Sequence, residues 1–598
     1  MKTGLSFSLV FAVACILFTG CDVNPAKTID RTDSNVYKII DSAWQEDIGT
    51  KANYKIRPPG SEPNVIDVNE IILPSGVLTL PGAVAIATAS NRQYNTEKEN
   101  LYLTALDLTE VRHLYQPNPF AGGQGGFRKD GSNKGTGAEG SLGIQQLLAT
   151  GAQIGTNVSL GWVDIISGDM RSGFATVATA TITQPLLRGA GRKVALENLT
   201  QAEHNVLYQI RTFNRYRQDF VTSIITEYWL VLQQNDKWIN ACDYYDALAE
   251  IHTDLQKRAA AGRIPLYECD QANQDRLRAL SDYVQARKDY KNILDAFKMQ
   301  LAIAPNTDFY LDAGELDVLR QSVSQEIKLS EKDGIEIALN QRLDLANAAD
   351  KALDAERKVD VAADAIRAEL NLIGYANPQS PGKTTFGADP GQLQSTQDRY
   401  QLSLQLDLPI DRLAEKNAYR RALITLMQQQ RAHQELTDSI ILQVRKAWRQ
   451  MQETHRQYNV ECQAYELAEQ RAGNVSLLLQ YDRANTRDVL DANKDFLRAR
   501  DAVTEALVSY TIATLNFYRD TGLLQVRQDG MWQRADIADK KPLPDDLPVE
   551  ESLSAIEPAE KQLQTEQTGD PLKIKTTFED NDQSEIMRIL NNISDSLN

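Results

Sequence analysis

The side chains best suited to hold a metal or move a proton are His113, His204, His252, His433 and His455, and none stands at ligand spacing from another. A zinc site gathers three or four ligands at close, fixed intervals, and a general base needs a second group to orient it. Neither pattern is legible. No glycine-rich phosphate loop, nucleophile elbow or Cys-x-x-Cys pair is present. The sequence therefore carries no enzyme signal. A net charge of −17 over 598 residues, with no basic stripe to displace counterions from phosphates, argues against nucleic acid. The systematically placed charges are Arg263 and Arg483, 220 positions apart, with Asp482 and Asp488 beside the second.

One thiol has a chemical assignment. Met1-Lys2, the apolar run Leu5–Leu17 and Leu17-Phe18-Thr19-Gly20-Cys21 read as a signal peptide over residues 1–20, the run being too short to span as a mature helix. Gly20-Cys21 resembles the lipobox of bacterial lipoproteins, with Phe18 an unusual residue at its position. The resemblance implies cleavage before Cys21 and acylation of its thiol, each buried methylene adding about 0.8 kcal/mol of membrane affinity. The other reading is a plain secretory signal with an incidental cysteine. Apart from this covalent lipid no cofactor or metal is expected. Cys242, Cys269 and Cys462 remain for an oxidising compartment, and three buried, unpaired thiols are expected.

What must position these residues is an internal repeat. Ala272–Ala279 (ANQDRLRA) returns as Ala492–Ala499 (ANKDFLRA), and the same offset of 220 pairs Cys242 with Cys462, Arg263 with Arg483, Tyr290 with Tyr510 and Phe297 with Phe517. A unit this long is no ordinary solenoid repeat. The first copy covers 79–303, an equatorial connector 304–330 and the second copy 331–524. Before them, 21–78 is a polar, proline-punctuated lead-in with a short amphipathic helix over Tyr37–Ile48. After them, 525–598 is an acidic, proline-containing tail that reads as disordered.

Within each copy the order is helix, strand, strand, long helix, return helix. Thr79-Leu80-Pro81 opens a helix that runs to about Tyr115, with a cap-type residue followed by proline in the first turn. Residues 117–151 hold ten glycines and read as an insertion in a loop. Strands are expected at about 153–163 and 175–183 in the first copy, and at 370–376 and 400–408 in the second. The clearest is the last, where Leu402, Leu404, Leu406 and Leu408 alternate with Gln401, Ser403, Gln405 and Asp407. Beyond Pro185 and Pro409 little breaks a helix, and at 1.5 Å per residue some 70 residues make a rod of roughly 100 Å. The return limbs keep a 4-3-4-3 apolar spacing, as in Val503, Leu507, Tyr510, Thr514 and Phe517, which is coiled-coil periodicity.

Strands of about nine residues with one greasy face are long enough to cross a bilayer when tilted. Four of them cannot close a barrel, and open sheet edges are not tolerated in hydrocarbon, so the strands must be shared between subunits. A water-soluble sandwich with the leucines against its own core is the alternative.

Over about 78–524 the chain resembles the TolC-like outer-membrane efflux protein family. The most specific stretch is Tyr481-Asp482-Arg483-Ala484-Asn485-Thr486-Arg487-Asp488-Val489-Leu490-Asp491-Ala492, similar to that family's helix-hairpin turn, with Ala261-Gly262-Arg263-Ile264-Pro265-Leu266-Tyr267-Glu268 as its companion. The resemblance implies a mainly α fold of long coiled-coil hairpins with a small membrane β-sheet, four strands per protomer. It implies a homotrimer with a twelve-stranded barrel in the outer membrane and a helical tunnel through the periplasm. Implied partners are a periplasmic adaptor, an inner-membrane pump of resistance-nodulation-division or ABC type, and outer-membrane lipid. The expected function is a passive export conduit. Its gate would lie at the hairpin tips, near Gly262, Arg263, Asp482, Arg483 and Asp488, and Leu402, Leu404, Leu406 and Leu408 would face lipid. A lipid-anchored periplasmic coiled-coil scaffold without transport is the rival reading.

Overall fold

A computed structural model describes residues 25–45, 48–51, 53–56, 76–130, 133–167, 173–322, 329–377, 399–408, 410–481, 483–527 and 532–534. The signal peptide, Cys21, Asp482 and the tail from 535 onward lie outside the described residues.

The lead-in is more structured than its composition predicts. Helix α1 spans Pro25–Ala43, beginning well before the expected Tyr37. It buries Val36, Ile39 and Ile40, and Tyr102 of the next long helix donates to Asp33 Oδ1 at 2.6 Å. Strand β1 (Val77–Leu78) precedes helix α2 (Leu80–Ser90), whose cap Thr79 Oγ1 accepts from Gly82 N. The single helix expected to reach Tyr115 is two, α2 and α3 (Arg92–Leu114), because Asn91 ends one and caps the other, its Oδ1 accepting from Tyr94 N at 3.0 Å. An asparagine side chain that satisfies a first-turn N–H competes with helix continuation.

The remaining helices are α4 (Arg192–Ala195), α5 (Glu197–Ala260), α6 (Leu266–Gln300), α7 (Gly314–Ser322), α8 (Glu331–Gln341), α9 (Leu343–Asp364), α10 (Leu413–Gln480) and α11 (Thr486–Asp520). Helices α5 and α10 run 64 and 68 residues. They turn back into α6 and α11, each of 35 residues, giving the two expected hairpins. α5 contains neither glycine nor proline, and α10 contains only Gly473. The repeat governs packing: Tyr290 and Tyr510, Phe297 and Phe517 are all buried. Both return helices end on a left-handed residue, Ala302 at φ +57° and Gly522 at φ +78°. The three thiols are free, but only Cys269 is buried, since Cys242 and Cys462 fall on half-exposed helix flanks.

Residues 117–151 are not a loop. They form β2 (Asn118–Asp130) and β3 (Asn133–Leu147), followed by β4 (Gln153–Ser167), β5 (Gly173–Pro185), β7 (Glu369–Asn377) and β8 (Arg399–Asp407) in one sheet of order β2-β3-β4-β5-β7-β8, antiparallel throughout. The protomer therefore supplies six strands where four were expected. Glycine supplies no side chain to show the period-two pattern, so the alternation was diluted below recognition. Short β6 (Tyr310–Leu311) pairs with β1 in parallel, and β9 (Leu524–Val526) pairs with β10 (Trp532–Arg534). The region read as tail thus begins as a small hairpin.

A buried polar cluster lies where α5 packs on α9, close to the sheet. Asp354 accepts from Tyr208 OH at 2.6 Å and Arg357 Nη1 at 2.9 Å, with His204 Nδ1 at 2.7 Å. Arg357 also pairs with Glu197, and Gly189 N donates to Asp364 Oδ2 at 2.7 Å. Burial pushes Asp354 up, but donation from Tyr208, His204 and Arg357 together with the charge of His204 outweighs it, so its pKa is lowered. A depressed carboxylate stabilises the fold above the ordinary carboxylate range and loses that contribution as pH falls through its folded pKa. We expect Asp354→Asn to cost about 2–3 kcal/mol at neutral pH. Thermal melting should show the gap to the parent closing as pH is taken below about 4.

Candidate functional site

Two regions carry the residues picked out from the sequence, the sheet and the hairpin tips. In the sheet, directly opposed residues share a face. Following the register from Leu402 through Gly374, Ile182 and Ile154, and from Ala180 through Thr156 to Ile144, joins one apolar face across the strands. Leu402, Leu404, Leu406 and Leu408 are 56–76% exposed, with Ile182, Val158, Leu142 and Ile144 also exposed. They are not packed against the protein's own helices. The opposite face carries Gln401, Ser403, Gln405, Asn371, Thr181, Asn157, Ser141 and Glu139. Among the described residues no helix is long and apolar enough to cross a membrane.

At the tips, the first hairpin closes through Gly262 at φ +69°. Gly262 N donates to Ala259 O at 2.9 Å and Arg263 N to Arg258 O at 2.9 Å. This left-handed cap satisfies carbonyls the helix end would leave open. The second hairpin ends alike, with Arg483 N donating to Leu478 O at 2.9 Å. In the repeat, Asp482 occupies the place of Gly262, outside the described residues. Asp488 sits in the first turn of α11 and accepts from Asn485 N, while Asn485 accepts in return. It is exposed and caps its helix. Arg263 and Arg483 are both exposed on the turns.

Contacts that tie the two tips together escaped sequence reading. Thr486 Oγ1 donates to Glu268 Oε2 at 2.6 Å, and Arg258 Nη1 donates to Leu479 O at 3.0 Å. Leu490 is buried against Leu248, Leu255, Ala272 and Ala279 of the first hairpin. The repeat held a signal for it, since Asp270 stands at the matching place in the first copy and breaks the symmetry there. Farther from the tips, Asn240 Nδ2 donates to Asp501 Oδ1 and Thr504 Oγ1 to Asp236 Oδ2, both at 2.7 Å, and Arg500 pairs with Asp243 at 2.9 Å. Burial holds Asp501 above the usual carboxylate range.

Paired long hairpins joined to a two-faced sheet with open edges make up a fold seen in solved outer-membrane channels. Several solved structures share it. CusC, whose crystal structures concern folding and transmembrane channel formation, is 12% identical and superposes with a TM-score of 0.54 over 79% of this chain and 99% of its own. The Campylobacter jejuni CmeC outer membrane channel is 14% identical, with a TM-score of 0.53 over 76% of this chain and 87% of its own. The open state of the Neisseria gonorrhoeae MtrE outer membrane channel is 14% identical, with a TM-score of 0.53 over 74% and 88%. No protein-family model and no curated protein matches the sequence.

The tip contacts make a direct expectation. A hydrogen bond to a charged partner contributes about 1.5–3 kcal/mol, so a double-mutant cycle of Thr486→Val and Glu268→Gln should return a coupling of about 1–2 kcal/mol. Amide exchange in the first turns of α6 and α11 should quicken in each single variant, while the melting temperature of the whole chain barely moves.

Proposed function

We propose that the chain is the outer-membrane channel of a tripartite export system, a passive trimeric conduit closed at its periplasmic end by the hairpin tips. One observation carries this reading: an apolar sheet face is left exposed and a polar face lies behind it, on strands whose outer edges are unpaired. A soluble sandwich would bury those leucines. In hydrocarbon the same face is favourable, and the unpaired edges require neighbouring copies to pair with. Acylation at Cys21 would add an anchor, and a periplasmic adaptor with an inner-membrane pump would supply cargo and the drive to open.

In a trimer each tip residue appears three times. Asp482 and Asp488 form rings of carboxylates that favour cations at the constriction, and Arg263 and Arg483 hold the closed tips or engage the adaptor. An adaptor opens the channel to the extent that it binds the open arrangement more tightly than the closed one. The scaffold alternative makes the opposite demand on the sheet, which is full solubility once the acyl site is removed.

Substitution on the two faces of β8 separates the readings. Leu404→Arg should cost about 2–4 kcal/mol of folded protein in lipid vesicles, and Gln405→Arg next to it much less. Equal effects would remove the lipid-facing assignment. In planar bilayers, Asp482→Asn and Asp488→Asn should each lower cation preference, and unchanged selectivity in both removes them from the gate.

A further inference from the structure

The β2–β3 hairpin is the element that a four-stranded protomer leaves unexplained. It is continuous with the rest of the sheet: β2 pairs with β3 from Asn118↔Gln145 to Asp130↔Asn133, and β3 pairs with β4 from Leu147↔Gln153 to Lys134↔Ser167. Its strands have 13 and 15 residues, against 15 and 13 for β4 and β5. All exceed the roughly 9–11 residues that a tilted strand needs to span a bilayer.

Both faces also continue through it. Pro119, Ala121, Phe127, Ala138, Leu142 and Ile144 extend the apolar side by register. Gln124 and Glu139 extend the polar side, joined Nε2 to Oε2 at 2.7 Å. One aromatic sits against the pattern. Phe120 lies directly opposite Gly143, and its ring occupies the space a Cβ there would take, with Cζ 2.3 Å from that position. An aromatic laid over a cross-strand glycine is a known way to pin register in curved sheets.

We propose that β2 and β3 are part of the membrane wall and that β2 of one subunit pairs with β8 of the next, so that three subunits close an eighteen-stranded barrel. This rests on the trimeric-channel reading and extends it to the interface and the bore. The strand directions fit. Six strands alternating in direction leave β2 and β8 antiparallel to one another, so the closing contact is an ordinary antiparallel ladder that leaves no edge in lipid. The widths fit as well. Strands about 4.8 Å apart and tilted near 40° each take up roughly 6 Å of wall, so six cover about 38 Å and four about 25 Å. The helices that feed them, α3, α5, α9 and α10, pack consecutively side by side, and at 8–10 Å spacing four helices cover about 32–40 Å. Barrel diameter grows nearly in proportion to strand number, so the bore is about 1.5 times that of twelve strands.

The test uses the full-length protein in outer-membrane vesicles. Leu404→Cys on β8 is combined in turn with Gly123→Cys and Gly125→Cys on β2, where an added Cβ meets only a carbonyl oxygen at 3.7 Å. A second set combines Leu404→Cys with Thr156→Cys and Val158→Cys on β4, which is the free edge if the hairpin stands outside the wall. All these positions share one face. Oxidation is expected to give covalent trimers from the β2 set and none from the β4 set. Covalent trimers from the β4 set alone overturn the eighteen-stranded wall and leave the channel reading standing. Covalent oligomers from neither set overturn the shared wall, and a parent protein that also forms no conducting trimer takes the channel reading with it. Electron cryo-microscopy of the unsubstituted trimer decides independently, eighteen strands supporting the proposal and twelve overturning it.

Discussion

A peptide group inside hydrocarbon has no water to bond with, and an unmet N–H or C=O there costs several kcal/mol. The exposed leucines of β8 direct the sheet toward such a medium, and the unpaired edges of β2 and β8 are then the features the rest of the molecule must answer. A closed ladder made by copies of the same chain, as proposed above, would satisfy them. Strands of one copy would then have to arrive side by side, delivered by the packed helices α3, α5, α9 and α10. The buried charges around Asp354 lie at this junction, holding α9 on α5 where the chain changes from helix to strand. Hydrogen bonds to a buried carboxylate are directional, so they fix one orientation where apolar packing would tolerate several.

The division of labour between sheet and helices follows the repeat. Each copy contributes a long outgoing helix and a shorter return limb, and equivalent aromatics such as Phe297 and Phe517 fill equivalent core positions. The copies differ where the protomer needs asymmetry. The first carries two additional strands before β4. The second places Leu490 where the first has Asp270, giving one hairpin an apolar residue to bury against the other.

Much of this was legible in the residues. The constant offset of 220 located both hairpins, and leucines at every second position located β8 and its greasy face. Proline and glycine bounded the long helices. The misses share a physical cause: the informative side chain was small, absent or paired at long range. β2 and β3 are rich in glycine, so their alternation hardly registers. Asn91 divides a helix through a single side-chain oxygen within an otherwise helical sequence. The bond from Thr486 to Glu268 joins residues 218 positions apart, and no local pattern announces such a contact. The same holds for the cluster around Asp354, whose members come from separate helices.

Polar links between the two hairpins include a group at Asp236, Asn240 and Asp243 and, at the far end, a smaller one around Thr486 and Leu479. Such a spacing makes each hairpin a lever with its fulcrum at the first group and a light clasp at the second. With about 20 residues, or roughly 30 Å, between them, a turn of about 5° at the fulcrum would carry the tip through roughly 2.5 Å. If the proposed gate opens there, unfastening would break two hydrogen bonds and open one leucine's pocket, and the long rods could travel as rigid arms without having to unwind.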